Sequence, residues 1–416
     1  MMTKTIECTA AGLLALGAVW MPGTCLAAVP CTSGPAFDLQ TTAGYVSTPD
    51  GNSVFVWSFV PNPGAFQMPG PVLCVNEGQT VTISLTNNLP DPPGALGPDN
   101  VSIVFPGQTG VTSSGGVPGL LAQEAPPGGT VSYSFVAGAP GTYLYESGTS
   151  PHKQVPMGLF GALIVRPVMG ANYAYNDASS EFNPDAEYLL VMHEMDHRLH
   201  QAVERGQPYD ATRWHDTYWT INGRSFPDTV NADGAPWLPN QPYGSLVTVQ
   251  PYSTTGPNAN PLPALVRYAN AGRENHPFHP HGNNLRIIAR DGRMLAATGG
   301  ASTALESFTT VVGAGQTYDL LARWDNLEGW NSVANPIPVE LPGPQNTVYK
   351  DDLTWFSGSP YLGEQAPLPL TVTSLNECGE LYFPWHSHAL NEFQNWDEGF
   401  GGLATLWRVD PPGGCP

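Results

Sequence analysis

Short stretches in which apolar and polar residues alternate recur along most of this chain. A period of two is typical of β-strands, because successive side chains of a strand point to opposite faces of the sheet. Gly, Pro, Asn and Asp residues separate these stretches, and that spacing favours β-sandwiches. We therefore predict an all-β protein with strands at residues 53–60, 79–87, 130–136, 161–167, 245–250, 285–290, 317–324 and 403–409.

The two halves of the chain end in similar sequences, GLFGALIVRP in the first half and GGLATLWRVDPP near the C-terminus. Two copies of one sandwich would explain this similarity. Between them lies a polar stretch rich in Asn, Ala and Ser, which we interpret as a linker. The predicted organisation is a first domain at residues 29–168, a linker at 169–184 and a second domain at 185–416 that contains a Pro-rich insert near 326–370.

The first 28 residues have the pattern of a secretory signal peptide. Lys4 precedes an apolar stretch, and small residues at Ala27 and Ala28 provide a cleavage position. Processing as a lipoprotein at Cys25 is the alternative. No other stretch is apolar for long enough to cross a membrane, so we predict no membrane span and a secreted or periplasmic protein.

Composition and charge narrow the class of protein further. The 416 residues carry a formal net charge of −20 and include 46 Gly and 43 Pro, with 41% hydrophobic residues. The Gly and Pro content has no collagen period, which indicates a globular protein rich in loops. An acidic surface repels nucleic acid and attracts cations, although solubility alone would also explain it.

Four cysteines remain after the signal peptide: Cys31, Cys74, Cys378 and Cys415. An even number in an exported chain indicates disulfides, and buried free thiols are the alternative. The simplest of the three pairings joins Cys31 to Cys74 and Cys378 to Cys415.

Five of the ten histidines occur in two short clusters, HPFHPHG at 276–282 and HSH at 386–388. Residues two apart in a strand share a face, so each cluster contains a same-face pair of imidazoles. Two such pairs on neighbouring strands would form a site with four nitrogens. Imidazole suits copper, zinc, iron and nickel, and the spacing therefore predicts a metal site without naming the metal. The candidate metal-binding residues are His276, His279, His281, His386 and His388.

The segment HEMDH at 193–197 also matches the HExxH pattern of zinc metallopeptidases. On a helix, His193 and His197 would share one face and hold zinc, with Glu194 as general base. Against this, Tyr188 to Met192 fits a strand, and no clear distant third ligand follows. The peptidase therefore stays a minor alternative.

The two histidine clusters resemble motifs of a known family. HPFHPHG is similar to the HPxHxHG motif of multicopper oxidases, and PWHSHALNEFQNWDEGFGGLATLWRV resembles their C-terminal HCHxxxHxxxxM segment. Further similarity is found in GTYLYESG, INGRSFPDT and VVGAGQTYDLLARWDN. The resemblance implies two cupredoxin-like Greek-key β-sandwich domains with copper at domain boundaries.

The resemblance also implies that part of the copper-binding set is missing. Of the residues that hold the mononuclear blue copper in the family, His276 is present. Ser387, Glu392 and Asp397 stand in place of a cysteine, a histidine and a methionine. Without the thiolate we expect no ordinary blue-copper centre.

The trinuclear cluster of the family is half complete by the same comparison. The second-domain half is present as His279, His281, His386 and His388. The first-domain half is replaced by Val104, Pro106, Glu146 and Gly148. Glu146 or His152 could join the four imidazoles around one metal ion.

Three functional hypotheses follow. The favoured one is an exported copper-binding protein with a reduced histidine site and atypical oxidoreductase activity, supplied by a small-molecule or metal-ion reductant. The alternatives are a non-enzymatic metal-binding or structural extracellular module, and the zinc peptidase. Since two-domain relatives often assemble as trimers with shared sites, the resemblance also implies a homotrimer in which the histidines could face Glu146 of a neighbouring copy.

Overall fold

The structure is a computed structural model, and the residues that it describes are 29–91, 99–327, 329–331, 347–350, 353–356, 365–367, 380–396, 398–399 and 401–415. The predicted signal peptide, Cys378, Asp397 and most of the Pro-rich insert lie outside the described residues. In the described part of the chain, no helix is long and apolar enough to span a membrane.

The first half of the chain forms two sheets. Its elements are β1 (Cys31–Ser33), β2 (Ala36–Ser47), β3 (Ser53–Pro61), β4 (Val72–Asn76), β5 (Thr80–Asn87), β6 (Thr112–Gly115), β7 (Val117–Pro118), β8 (Gln123–Glu124), β9 (Thr130–Val136), β10 (Gly141–Glu146), the helix α1 (Pro151–Gln154) and β11 (Phe160–Arg166). One sheet has the order β1-β4-β11-β10 and the other β3-β2-β5-β9-β6, while β7 pairs with β8.

The core of this first sandwich lies between its two sheets. Strand β5 alternates exposed and buried residues, as its sequence TVTISLTN predicts. Its inward residue Ile83 packs in one cluster with Leu73 and Val165 of the facing sheet. The predicted disulfide between Cys31 and Cys74 is present and joins the neighbouring strands β1 and β4.

The second half of the chain forms a second sandwich. Its elements are β12 (Glu187–Met195), the helix α2 (His197–Glu204), β13 (Tyr218–Ile221), β14 (Val247–Val249), β15 (Ala264–Asn270), β16 (His276–Pro280), β17 (Leu285–Arg290), β18 (Arg293–Met294), β19 (Leu305–Ser307), β20 (Thr310–Val312), β21 (Thr317–Ala322), β22 (Thr347–Lys350), β23 (Leu353–Phe356), β24 (Gln365–Pro367), β25 (Leu381–Ser387), β26 (Gln394–Asn395), β27 (Glu398–Gly399) and β28 (Ala404–Val409). Short 3-10 helices occur at Ala178–Ser180, Ala211–Arg213, Asp228–Val230 and Leu390–Glu392.

One sheet of this sandwich runs β18-β17-β21-β15-β12-β13-β26-β27, with β19 also paired to β17, and the facing sheet runs β14-β28-β25-β16-β20. Strands β22-β23-β24 form a separate sheet. Strand β12 is buried along its whole length. One face of it packs into the second core through Leu190 and Met192. The other face, through Val191 and Met195, packs against the first sandwich. A strand covered on both sides needs a nearly continuous apolar run, which explains YLLVM at 188–192.

A buried ion network also joins the two sandwiches. Arg267 of β15 donates to Glu187 of β12 at 2.6 Å, and its side chain is fully buried. Arg166 of the first sandwich donates to the same Glu187 carboxylate, also at 2.6 Å. The buried charge of Glu187 is therefore matched by one arginine from each sandwich.

The segment predicted as a linker is packed into the second sandwich. Ala174, Tyr175 and Phe182 are buried in a cluster with Leu265 and Ile288. The sequence does not reveal these three buried residues, because exposed Asn, Asp and Ser residues lie between Tyr175 and Phe182.

Candidate metal centre

Two antiparallel strands of the second sandwich bring the histidine clusters together. Strands β16 and β25 pair so that His279 lies directly opposite His386. His281 donates its backbone N–H to Pro384 at 2.9 Å, and His388 donates to Pro277 at 2.8 Å. Backbone hydrogen bonds therefore fix the positions of all four histidines, two within the strands and two directly after them.

The four imidazole rings face one another. The distances between ring centres are 4.8 Å from His279 to His281, 5.8 Å from His279 to His386 and 5.2 Å from His279 to His388. His386 lies 5.2 Å from His281 and 5.8 Å from His388. Four imidazoles that bind one ion through nitrogens about 2.0–2.1 Å away have ring centres about 5 Å apart, so the spacing of the rings suits a single ion.

In two of the rings, a backbone carbonyl contacts Nδ1 and leaves Nε2 available to bind a metal. The Nδ1 atom of His279 lies 2.7 Å from the carbonyl oxygen of Phe308, and Nδ1 of His386 lies 2.7 Å from that of Ser387. If each Nδ1 donates, Nε2 carries the lone pair and can bind a metal. Nε2 of His386 lies 3.1 Å from Nε2 of His281, close to the separation of two ligands on one ion.

The electrostatic surroundings favour neutral rings. Burial and the neighbouring imidazoles lower the pKa of His281 to about 4. Burial also lowers the pKa of His279 and of His386. A metal ligand must be unprotonated, and these rings meet that condition at neutral pH.

The donor atoms do not yet meet at one point. Among the described residues, no group of three or more His, Cys, Asp or Glu side chains is arranged to hold a metal ion as it stands. His279 and His281 border an open cavity of about 480 Å³, which Phe308 also lines. The four imidazoles are thus clustered near the surface, beside a cavity that leaves space for side-chain rotation.

His276 lies apart from these four rings, although the sequence grouped it with them. Its side chain is fully buried, and Nδ1 lies 2.9 Å from Oε2 of Glu392. Its Nε2 lies 3.3 Å from Oε2 of Glu194. The carboxylates raise the pKa of His276 to about 9, against the opposing effect of burial.

Sequence reasoning missed the role of Glu194. The letters HExxH pointed to a helix, but Glu194 lies in strand β12, and helix α2 begins only at His197. His193 packs its ring against Phe160, with ring centres 4.5 Å apart. His193 and His197 therefore do not share a helical face, and the geometry of the peptidase alternative is absent. The interpretation of Tyr188 to Met192 as a strand is confirmed.

Comparisons with known proteins agree with this architecture. The sequence profile described as "Multicopper oxidase" matches residues 64–169. Residues 64–169 are therefore similar to a multicopper oxidase domain. An L-ascorbate oxidase from Cucurbita pepo var. melopepo is 30% identical over 162 residues, which cover 38% of this chain and 26% of that protein. A copper-containing nitrite reductase from Neisseria meningitidis is 27% identical over 176 residues, covering 42% of this chain and 38% of that protein.

The multicopper oxidase-like chain also has solved structural neighbours. The blue copper oxidase from Nitrosomonas europaea superposes with a TM-score of 0.58 at 19% identity, covering 90% of this chain and 85% of that one. The multicopper oxidase mgLAC gives a TM-score of 0.59, also at 19% identity, covering 90% and 86%. These likenesses confirm the predicted cupredoxin fold. The matched segments span about a quarter to two fifths of the two curated relatives.

Three of the first-domain positions that the resemblance aligned with copper ligands lie close together. Val104 and Glu146 form an antiparallel bridge, with hydrogen bonds of 2.8 and 3.1 Å between their backbones. A Cβ atom on Gly148 would lie 2.6 Å from the Val104 side chain. His152, in contrast, lies in α1 beside a separate cavity with Trp57 and Tyr209. Burial raises the pKa of Glu146.

Proposed function

We propose that this protein is an exported copper-binding protein of the multicopper oxidase type, with His279, His281, His386 and His388 as its metal ligands. One observation carries the proposal, namely four imidazole rings gathered with centres 4.8–5.8 Å apart on two paired strands. Export rests on the predicted signal peptide. Copper rests on the kinship with the multicopper oxidase domain.

The donor set suits copper or zinc better than a hard cation. Neutral imidazoles bind Cu(II) and Zn(II) strongly, whereas magnesium and calcium prefer oxygen ligands. In the proposed complex, the exposed His388 and the half-buried His279 each bring a nitrogen towards the His281–His386 pair. A bound copper ion would supply a centre for one-electron transfer.

A mononuclear blue copper does not fit the residues at its expected position. Ser387 offers a hydroxyl group, which accepts the backbone N–H of Ala389 at 3.2 Å. Both nitrogens of His276 lie within ion-pair distance of a carboxylate. With no thiolate and no free imidazole there, the usual electron route is missing, and the proposed activity is an atypical oxidoreductase reaction with a small-molecule or metal-ion reductant.

The open face of the site supports a homotrimer as the assembly. Phe308 and Leu390, beside the histidines, are 62% and 68% exposed. On the first sandwich, Leu121 lies next to Gly148 and is 60% exposed, and its neighbour Leu120 is 94% exposed. Exposed apolar side chains on both faces are typical of protein interfaces. We propose that one copy covers the site of the next and brings Glu146 towards its imidazoles.

A second candidate is a non-enzymatic metal-binding or structural module with the same fold. The ion pairs of His276 favour it, because they remove the redox centre next to the four histidines. The two candidates share the metal site and differ in whether the protein catalyses the oxidation of a reductant.

Copper titration of the purified protein tests the proposal. We expect one weakly absorbing copper per chain, without an intense band near 600 nm. His279→Ala and His388→Ala should each lower copper affinity by more than the about 10–100-fold typical for loss of an outer-shell partner. The exposed His215 provides the matched control, since His215→Ala removes an imidazole that belongs to neither strand.

Copper binding that survives His279→Ala and His388→Ala, or a wild-type protein that binds no copper, would contradict the proposal. Oxygen consumption with a phenol or ferrous iron separates the enzyme from the non-enzymatic module. Sedimentation equilibrium on the same samples gives the number of subunits.

A further inference from the structure

The buried His276 is held between two carboxylates that belong to different parts of the second sandwich. Glu392 faces Nδ1 at 2.9 Å and Glu194 faces Nε2 at 3.3 Å. The exposed fractions of the three side chains are 0% for His276, 3% for Glu392 and 1% for Glu194. We call Glu194, His276 and Glu392 the buried triad.

The pocket around Glu194 is built for a carboxylate. Its Oε1 accepts the backbone N–H groups of Arg273 and of Glu274, the latter at 3.0 Å. A Cβ atom on Gly272 would lie 1.8 Å from its Oε2, so the loop can pass over the carboxylate only because residue 272 is glycine. Two amide donors and the close approach of Gly272 fix the position of this charge.

The charge state of the buried triad follows from its geometry. Nδ1 of His276 is within hydrogen-bonding distance of Glu392, and Nε2 lies within ion-pair distance of Glu194. Because ionised carboxylates only accept hydrogen bonds, one on each side of the ring favours the imidazole that carries both protons. The pKa of Glu194 is lowered by His276 and by the backbone amides, despite the opposing effect of burial, which agrees with an ionised pair. His276 is thus a cation enclosed by protein.

The buried triad connects the segments that carry the four histidines. Glu194 lies near the end of strand β12, and His276 is the first residue of β16, which leads to His279 and His281. Glu392 lies in the 3-10 helix that follows β25 and His388. One cation therefore ties both histidine-bearing segments to the central strand of the sandwich.

We propose that the Glu194–His276–Glu392 ion triad replaces a mononuclear metal and acts as a positioning device for the four-histidine site. Its members do not touch the proposed copper ion. They hold β16 and the segment after β25 in the register that keeps the four rings together. This inference rests on the proposed function only for its effect on metal binding.

The first test is copper affinity in Glu194→Gln and Glu392→Gln. Each change keeps the shape of the side chain and removes one charge, and we expect a drop of about tenfold or more with all four imidazoles present. Glu187→Gln is the matched control, because it breaks another ion network of low exposure, which lies between the two sandwiches. We expect Glu187→Gln to lower stability and to leave copper affinity unchanged.

Unchanged affinity in Glu194→Gln and Glu392→Gln would overturn the proposal. An equal loss in Glu187→Gln would also overturn it, since general destabilisation would then explain the effect.

A second test is independent of metal. In nitrogen NMR spectra of the wild-type protein at neutral pH, both ring nitrogens of His276 should be protonated, and a lone-pair nitrogen signal would refute the triad. Hydrogen exchange gives a third measure, with the amides of His281 and His388 exchanging faster in Glu194→Gln than in Glu187→Gln. If wild-type protein binds no copper, the proposed function fails, and these two measurements still decide the triad.

Discussion

His276 and His279 lie three residues apart in strand β16, yet their rings meet opposite surroundings. His276 is fully buried and has a carboxylate at each nitrogen, which raises its pKa to about 9. His279 is half-buried, has a carbonyl oxygen at Nδ1 and faces other imidazoles, and its pKa is lowered. A histidine side chain is therefore a cation at one end of the strand, and at the other end it is a neutral imidazole that can bind a metal.

This difference shows that spacing alone does not define a metal ligand. The motif HPFHPHG supplies three imidazoles, but the residues contributed by other strands decide what each one does. A carbonyl oxygen at one nitrogen leaves a lone pair for a metal on the other nitrogen. Two carboxylates instead favour protonation of both nitrogens, so that neither has a lone pair for a metal. Substitutions that remove the carboxylate contacts of the buried triad, or the contacts of the four-histidine site, test this difference.

Removal of the buried cation should have the largest effect on stability. His276→Leu leaves Glu194 and Glu392 buried without their counter-charge, and we expect a loss of about 3–5 kcal/mol in the free energy of unfolding. Urea denaturation at neutral pH measures it. A loss below about 1 kcal/mol would show that the triad is not ionised.

His193→Leu is the matched control for that experiment. His193 is also fully buried, but burial lowers its pKa to about 4, so it is neutral at pH 7. Leucine is similar in size and leaves no buried charge unpaired. We expect a change below about 1.5 kcal/mol.

The two buried histidines should also give stability opposite pH dependences. The pKa of His276 rises from 6.5 to about 9 on folding, so its contribution is complete below pH 6.5 and is lost as pH rises towards 9. The pKa of His193 falls from 6.5 to about 4, so its burial costs stability as pH falls from 6.5 towards 4. Each shift corresponds to about 3 kcal/mol by linkage.

Unfolding free energies measured from pH 4 to pH 9 check this expectation. His276→Leu should flatten the alkaline decline and leave the acid decline in place. His193→Leu should reduce the acid decline, and the remainder belongs in part to His200, whose pKa is also lowered to about 4. Identical profiles for the two variants would contradict the assignment of charge.

Much of the fold follows from local patterns in the sequence. The alternation in TVTISLTN and TVSYSFV predicts strands that the structure contains as β5 and β9. The same-face spacing of His279 with His281 and of His386 with His388 correctly indicates rings that could meet, because β16 and β25 are neighbours. These features depend on a period of two and on one strand pairing.

The buried triad depends on contacts that no local pattern contains. Glu194 reaches His276 from 82 positions away in the sequence, and Glu392 reaches it from 116. Glu194 also stands inside a motif whose usual structure is a helix, although a fully buried strand forms there. Gly272, which passes close to Glu194, was the one sequence signal that could have helped, but glycine is common in loops and does not by itself indicate a buried carboxylate.

The smallest effect should come from a hydroxyl group beside the cluster. Oγ1 of Thr309 lies 3.0 Å from Nδ1 of His279, where the carbonyl oxygen of Phe308 at 2.7 Å is the closer acceptor. Thr309→Val removes the hydroxyl and keeps the carbonyl, so we expect less than about a tenfold loss of copper affinity, against the larger losses for removing an imidazole. Isothermal titration with copper measures the difference. A loss as large as that of His279→Ala would mean that the hydroxyl, rather than the backbone, orients the ring, and the contrast between a backbone-held cluster and a carboxylate-held triad would then be weaker.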